Sequence, residues 1–130
     1  MKRRIYYYDT DTSGAVYHAN YLKYLEETRS EYLEERGLTV KDLLSRGVGF
    51  AIRRQEMEYK APALYGDILE IKAWVKEFTP YRIVFAYAIH NQDARLIGKA
   101  ETDLVCVGPD LKLIELPDDV KTALAADRPA

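Results

Sequence analysis

Two carboxylates, Asp9 and Asp11, stand in the segment Asp9-Thr10-Asp11-Thr12-Ser13-Gly14, and His18 follows shortly after it. A carboxylate just upstream of a helix N-terminus combines a nucleophile or proton acceptor with free backbone N–H donors, which is what chemistry on a carbonyl uses. Asp11 in that position can attack the carbonyl carbon or remove a proton from water, while the helix start stabilises the oxyanion formed; the residue types leave both routes open. A purely structural reading of Asp11, as a turn or N-cap residue, competes with these. Asp9, at the end of an extended stretch, suits the shaping of the turn through backbone hydrogen bonds, and Asn20 suits holding the loop. His18 offers two groups, its backbone N–H and its imidazole. Replacement by alanine would spare the first role and abolish the second.

The same segment imitates the opening of a calcium-binding loop, with glycine at the sixth position. Its twelfth position is Asn20 where a glutamate is required, and His18 and His90 are the only histidines, neither with a ligand at helical spacing. No metal is expected. Cys106, the single cysteine, lies in an apolar strand pattern and reads as a small buried hydrophobe rather than a nucleophile.

The elements that must position these residues can be read from periodicity. Residues 4 to 8 have strand propensity, and the acidic turn closed by Gly14 ends that strand. From His18 to Arg36, Tyr21, Leu22, Leu25, Tyr32 and Leu33 fall on one helical face, with Glu26, Glu27, Glu31, Glu34 and Glu35 mostly turned away, and Gly37 is a natural stop. A short helix is predicted over Val40 to Ser45, with Thr39 as its N-cap and Gly47 ending it. The period then changes to two. Phe50 to Lys60 is extended, Leu69, Ile71, Ala73 and Val75 alternate with polar or aromatic residues, and Arg82 to His90 and Leu96 to Val107 complete a set of antiparallel strands. Leu111 to Leu116 reads as an edge strand or extended arm, and Asp118 begins a last short helix before a polar tail. An antiparallel sheet curling round the one long helix is the economical way to bury its apolar stripe. Trp74, Val84, Ala86 and Ala88 suggest a second sheet face that another copy of the chain would cover.

Length and composition fit that scheme. A chain of 130 residues suits one domain with a real core. With 48% hydrophobic and 31% charged residues and a net charge of -2, it has no field for nucleic acid or an anionic membrane. The 11 tyrosines therefore read as core, interface or groove residues rather than a base-stacking platform. A lone cysteine excludes an intramolecular disulfide, and the apolar run after Met-Lys-Arg-Arg is too short for a signal peptide, so a cytoplasmic protein is expected. No stretch approaches the roughly 20 apolar residues of a membrane-spanning helix.

The run from Tyr8 through Asp9, Asp11, Gly14, Tyr17, His18 and Asn20 to Leu22, followed by Glu26-Glu27-Thr28-Arg29, resembles the signature of the hotdog-fold thioesterases of the 4-hydroxybenzoyl-CoA thioesterase family. Its YbgC-like branch looks nearest. Later residues agree, including Glu58-Tyr59-Lys60-Ala61-Pro62-Ala63-Leu64-Tyr65-Gly66-Asp67, so the resemblance covers almost the whole chain. It implies an α+β hotdog fold in a single domain over residues 1–130, an antiparallel sheet wrapped around one long helix. It also implies hydrolysis of acyl thioesters, usually acyl-CoA, by dimers that often pair into a homotetramer.

Carried over by residue, Asp11 is the catalytic carboxylate, Gly14 makes the turn, and the His18 N–H polarises the thioester carbonyl, with an imidazole that can assist. Tyr17, Tyr59 and Tyr81 are expected near an acyl or pantetheine groove. Where the benzoyl-type enzymes carry several basic residues for the CoA phosphates, this chain has Thr79-Pro80-Tyr81 and Arg82, which departs from that pattern. No cofactor is expected, since CoA is part of the substrate. A carrier-protein thioester is a second possible substrate. The competing functions are a hotdog hydratase or dehydratase with His18 as base, and a binding module for acyl thioesters or acyl carrier protein that leaves them intact.

Overall fold

Alternation along residues 68–78 sends Leu69, Ile71 and Val75 to one face of a strand, and these three are buried while Lys72, Trp74 and Lys76 are exposed. In the computed structural model, which describes residues 1–126, that strand is β3 (Ile68–Phe78) of a five-stranded antiparallel sheet. The other strands are β1 (Lys2–Arg4), β2 (Gly49–Tyr59), β4 (Arg82–His90) and β5 (Leu96–Val107), in the spatial order β1-β3-β4-β5-β2. The inner face of the sheet carries Leu69, Ile71, Val75, Ile83, Phe85, Tyr87, Ile89, Ala100, Leu104 and Cys106, all in one buried cluster.

Across that face lies α1 (Asn20–Glu34), which buries Tyr21, Tyr24, Leu25, Thr28, Tyr32 and Leu33. Tyr32 meets Phe85 edge-on with ring centroids 5.3 Å apart. Burial of each such side chain contributes about 1.5–3 kcal/mol, which makes this helix stripe the principal attachment of α1 to the sheet. Leu22, expected in the stripe, is 44% exposed, because the helix turns that edge toward an open cavity. Gly37 ends the helical segment at φ 77°, with its N–H donating to Glu34 O and the N–H of Leu38 donating to Leu33 O.

Helix α2 (Val40–Ser45) is capped by the Thr39 hydroxyl, which accepts from the Asp42 N–H at 3.0 Å, as its sequence predicts. At β2 and β5 the backbones close tightly at Gly98, where a Cβ would sit 2.7 Å from Glu58 O. Residues 111–116 form an irregular arm with one bridge, Val107 to Leu113, rather than a strand. Helix α3 (Asp118–Ala126) follows, and the polar tail expected after it lies outside the described residues.

The tyrosine run departs from expectation. Only Lys2–Arg4 pair as a strand, whereas Tyr7–Asp9 wind into a 3-10 turn with Tyr7 and Tyr8 exposed. The cause is Asp9: its carboxylate accepts from the Tyr6 N–H at 2.9 Å, and its own N–H donates to Tyr6 O at 3.0 Å, which curls the backbone away from the ladder. The outer sheet face is also more charged than Trp74 and Val84 suggest. Arg53 and Arg82 both pair with Asp103 at 3.0 Å, and Lys76 pairs with Glu101 at 3.1 Å, over Val84 and Ala86. Among the described residues no helix is long and apolar enough to cross a membrane.

Candidate active site

The loop between the 3-10 turn and α1 is fastened at both ends before any chemistry is considered. Asp9 is buried, and besides the Tyr6 N–H its carboxylate meets Arg3 at 3.4 Å. Its carbonyl accepts twice, from the Tyr17 N–H at 3.0 Å and from Asn20 Nδ2 at 2.9 Å. Asp9 and Asn20 therefore hold the two ends of the loop together. The neighbouring Tyr24 phenol, buried between Arg3 and this carboxylate, is pushed well above its ordinary pKa, first by burial and then by Asp9.

Between those anchors the chain reverses. Gly14 takes φ 83°, a left-handed conformation that an L side chain rarely adopts, and its N–H closes the turn on Asp11 O at 3.1 Å. The returning residues are stitched to the segment before β3, with the Val16 N–H donating to Ala63 O at 2.9 Å. The tip of the loop is thereby fixed against the body of the protein.

Asp11 stands exposed at that tip. Its Oδ1 accepts from the Ser13 hydroxyl and, at 2.8 Å, from the Ser13 N–H. These bonds favour the charged form and hold the carboxyl below the usual range, the Ser13 hydroxyl contributing most and the nearby His18 adding a smaller pull in the same direction. Asp11 is consequently ionised at neutral pH. Ser13 is not among the residues that spacing alone marks as chemical; the signal for it is the Asp-x-Ser pair of an Asx-type turn.

His18 and Ala19 form the turn that leads into α1, whose N-cap, Ala19, has no side-chain cap. Among the described residues, neither the His18 nor the Ala19 N–H donates to an acceptor. The helix start thus presents uncommitted donors, and the macrodipole of α1 reinforces them. The His18 ring lies 4.6 Å from that of Tyr17, and Tyr59 at the end of β2 donates its phenol to His18 O at 3.3 Å. Tyr17, His18 and Tyr59 are brought together, with Asp11 close enough to feel His18.

Tyr81 and Arg82 are not part of this group within one protomer. Arg82 begins β4 opposite Val105 and Tyr81 just precedes it, whereas Tyr59 lies opposite Gly98 at the other end of β5. Seven residues of strand separate the two positions, about 23 Å. Arg82 lies on the outer face, paired with Asp103 at 3.0 Å and with Glu77 at 3.7 Å. Cys106 is wholly buried, and burial pushes its thiol up, which leaves it a packing residue.

The fold defines a class: an antiparallel sheet curled around one long helix is the hotdog architecture of the thioesterases this structure superposes on. Comparison with known proteins agrees. Residues 6–124 match the family described as the thioesterase-like superfamily. Over 106 residues, covering 82% of this chain and 79% of the relative, the sequence is 38% identical to the acyl-CoA thioester hydrolase YbgC of Escherichia coli. The structure superposes on a 1,4-dihydroxy-2-naphthoyl-CoA thioesterase from Synechocystis with TM-score 0.90 and 28% identity, covering 99% of this chain and 97% of that one. It superposes on a DHNA-CoA thioesterase from Staphylococcus aureus with TM-score 0.93 and 27% identity, covering 97% and 87% of the two chains. The chain belongs to the thioesterase-like superfamily, on its YbgC-like branch of acyl-CoA thioester hydrolases.

Proposed function

We propose that this chain hydrolyses acyl-CoA thioesters, with Asp11 as the carboxylate that attacks the carbonyl carbon and the N–H groups of His18 and Ala19 as donors to the carbonyl oxygen. The observation that carries the reading is the pairing of an exposed, ionised Asp11 with uncommitted N–H donors at the start of α1. Attack by Asp11 forms a carbon–oxygen bond, breaks the carbon–sulfur bond and releases CoA thiolate, which takes a proton from water. Water then hydrolyses the mixed anhydride, freeing the acid and restoring Asp11. General-base activation of water by Asp11 is the competing route, and trapping of an acyl–Asp11 anhydride separates the two. Neither a metal nor a redox cofactor enters this sequence.

Two copies complete the site in this reading. Strand β2 pairs with β5 on one side only, and its 11-residue outer edge is free and carries an exposed Ile52. Antiparallel pairing of two β2 edges would bring the partner's Gly49 end toward Tyr59 and His18. Gly49 lies opposite Val107 in β5, near the start of β4, so Tyr81 and Arg82 would reach the site from the second copy. Tyr17 and Tyr59 then flank the acyl or pantetheine arm, and further pairing of dimers gives the tetramer. The relatives' names favour CoA as the carrier, and aromatic acyl groups belong among the first substrates to test.

Thiol release from short, long and aromatic acyl-CoA esters, and from acyl groups on a carrier protein, tests the reading. Release with stoichiometric free acid supports it. Tight binding without release would leave a binding module, and interconversion of enoyl and 3-hydroxyacyl thioesters without release would make the protein a hydratase.

A further inference from the structure

Between α1, α2 and the first half of β2 lies a largely apolar cavity of about 530 Å³. Leu22, one helical turn beyond His18, stands at its near end, and Leu43, Phe50, Ile83 and Phe85 line it further in. Arg29 is in its wall as well, half-buried on α1.

The bonds of Arg29 are one-sided. Its Nη1 donates to the Tyr87 phenol at 3.0 Å and to Thr102 Oγ1 at 3.4 Å. Tyr87 donates to Thr102 at 3.0 Å, and Thr102 donates to Gln55 Oε1 at 2.8 Å, so a chain of polar groups on β4, β5 and β2 fixes the guanidinium. Those bonds use a single nitrogen. Nε and Nη2, the donor pair that grips a carboxylate side-on, carry no described bond, and among the described residues no carboxylate is within ion-pair distance. Glu26, one turn earlier, also lines the cavity, but no ion pair joins it to Arg29. Because Arg29 is only half-buried, its Nε and Nη2 stay open to the cavity and can take an anion that arrives with the ligand.

From these observations we infer that the cavity receives the acyl group and that Arg29 recognises a carboxylate at its far end. The inference rests on the hydrolytic reading above for the position of the thioester at His18. Eleven positions, from the turn at His18 along α1, separate His18 from Arg29, about 16 Å at helical rise, and the arginine side chain slants back toward the N-terminus by several ångströms. The remaining span suits a dicarboxylic acyl chain of about six to eight carbons. A bidentate, partly desolvated guanidinium–carboxylate pair discriminates against a methyl terminus by roughly tenfold to a hundredfold.

The test compares adipoyl-CoA with hexanoyl-CoA, equal in length and different in the terminal group. Values of kcat/KM are measured for wild type, Arg29→Lys and Arg29→Met, and Kd values for both esters are measured on Asp11→Asn protein. The inference predicts at least a tenfold wild-type preference for adipoyl-CoA, reduced in Arg29→Lys and brought to about one in Arg29→Met. A purely structural Arg29 would lower both esters together and leave their ratio unchanged. Equal kcat/KM and equal Kd for the two esters in proteins that retain Arg29 would overturn the inference, whatever the variants do, while leaving hydrolysis standing. An adipoyl preference in Kd with no thiol released from either ester would uphold Arg29 and overturn the hydrolytic reading. Neither hydrolysis nor binding of either ester would overturn both.

Discussion

At the residue level, Ser13 lowers the pH at which Asp11 gains a proton. Its hydroxyl and N–H lower the Asp11 pKa, so activity that needs the carboxylate persists above the depressed value and is lost only as pH falls through it. Ser13→Ala removes the larger contribution. The acid limb of the kcat/KM profile should then move upward, toward the ordinary aspartate value of about 3.9, and an unchanged profile would show that Ser13 does not tune the site. The stability linkage has the same sign: the depressed pKa contributes stability above the unfolded value, and that contribution is lost on acidification. His18 makes a different prediction. Because its N–H is the proposed donor, His18→Ala should keep kcat/KM within about tenfold of wild type, whereas a general acid or base would cost about 10² to 10⁴. The turn that Gly14 closes on Asp11 ahead of His18 is legible in the sequence because its spacing is local. Arg29 is legible only as part of a motif, since its partners Tyr87 and Thr102 are brought to it by strands far along the chain.

At the scale of elements, period and punctuation were enough wherever one face is buried and a capping residue marks the end. Thr39 capped α2 as expected, and Gly37 ended the α1 segment in a left-handed conformation. The tyrosine run shows where propensity loses to a side chain. Ile5 to Tyr8 favour a strand, yet the Asp9 carboxylate captures the Tyr6 N–H and winds the next residues into a turn. The close contact of β2 with β5 is another feature that no window of sequence reveals. With Glu58 O only 2.7 Å from a Cβ at Gly98, Gly98→Ala must push the strands apart. Thermal or urea unfolding should show a loss of about 1–3 kcal/mol, and a neutral substitution would mean that this junction yields without cost.

For the whole molecule, the proposed pairing of two β2 edges would account for both the free edge and the distance between Tyr81 and His18, with a second copy supplying the far end of its sheet to this site. Ile52→Pro, at a β2 position whose N–H faces the free edge, should therefore yield monomers in sedimentation and lose activity together with assembly; fully active monomers would show that one chain suffices. The edge through which two copies would pair lay beyond the sequence for a physical reason. The predicted apolar outer face proved to be bridged by Arg53, Arg82 and Asp103, while the unpaired edge is a property of strand order, which only the folded sheet displays.

In the proposed reaction the Asp11 carboxylate performs chemistry rather than binding. This is tested most directly by measuring kcat and Kd on one hydrolysed acyl-CoA for wild type and Asp11→Asn at equal folded concentration. A reacting Asp11 should give a fall in kcat of at least about 10² with Kd changed by less than about threefold. An unchanged kcat would contradict it and move the reacting group elsewhere.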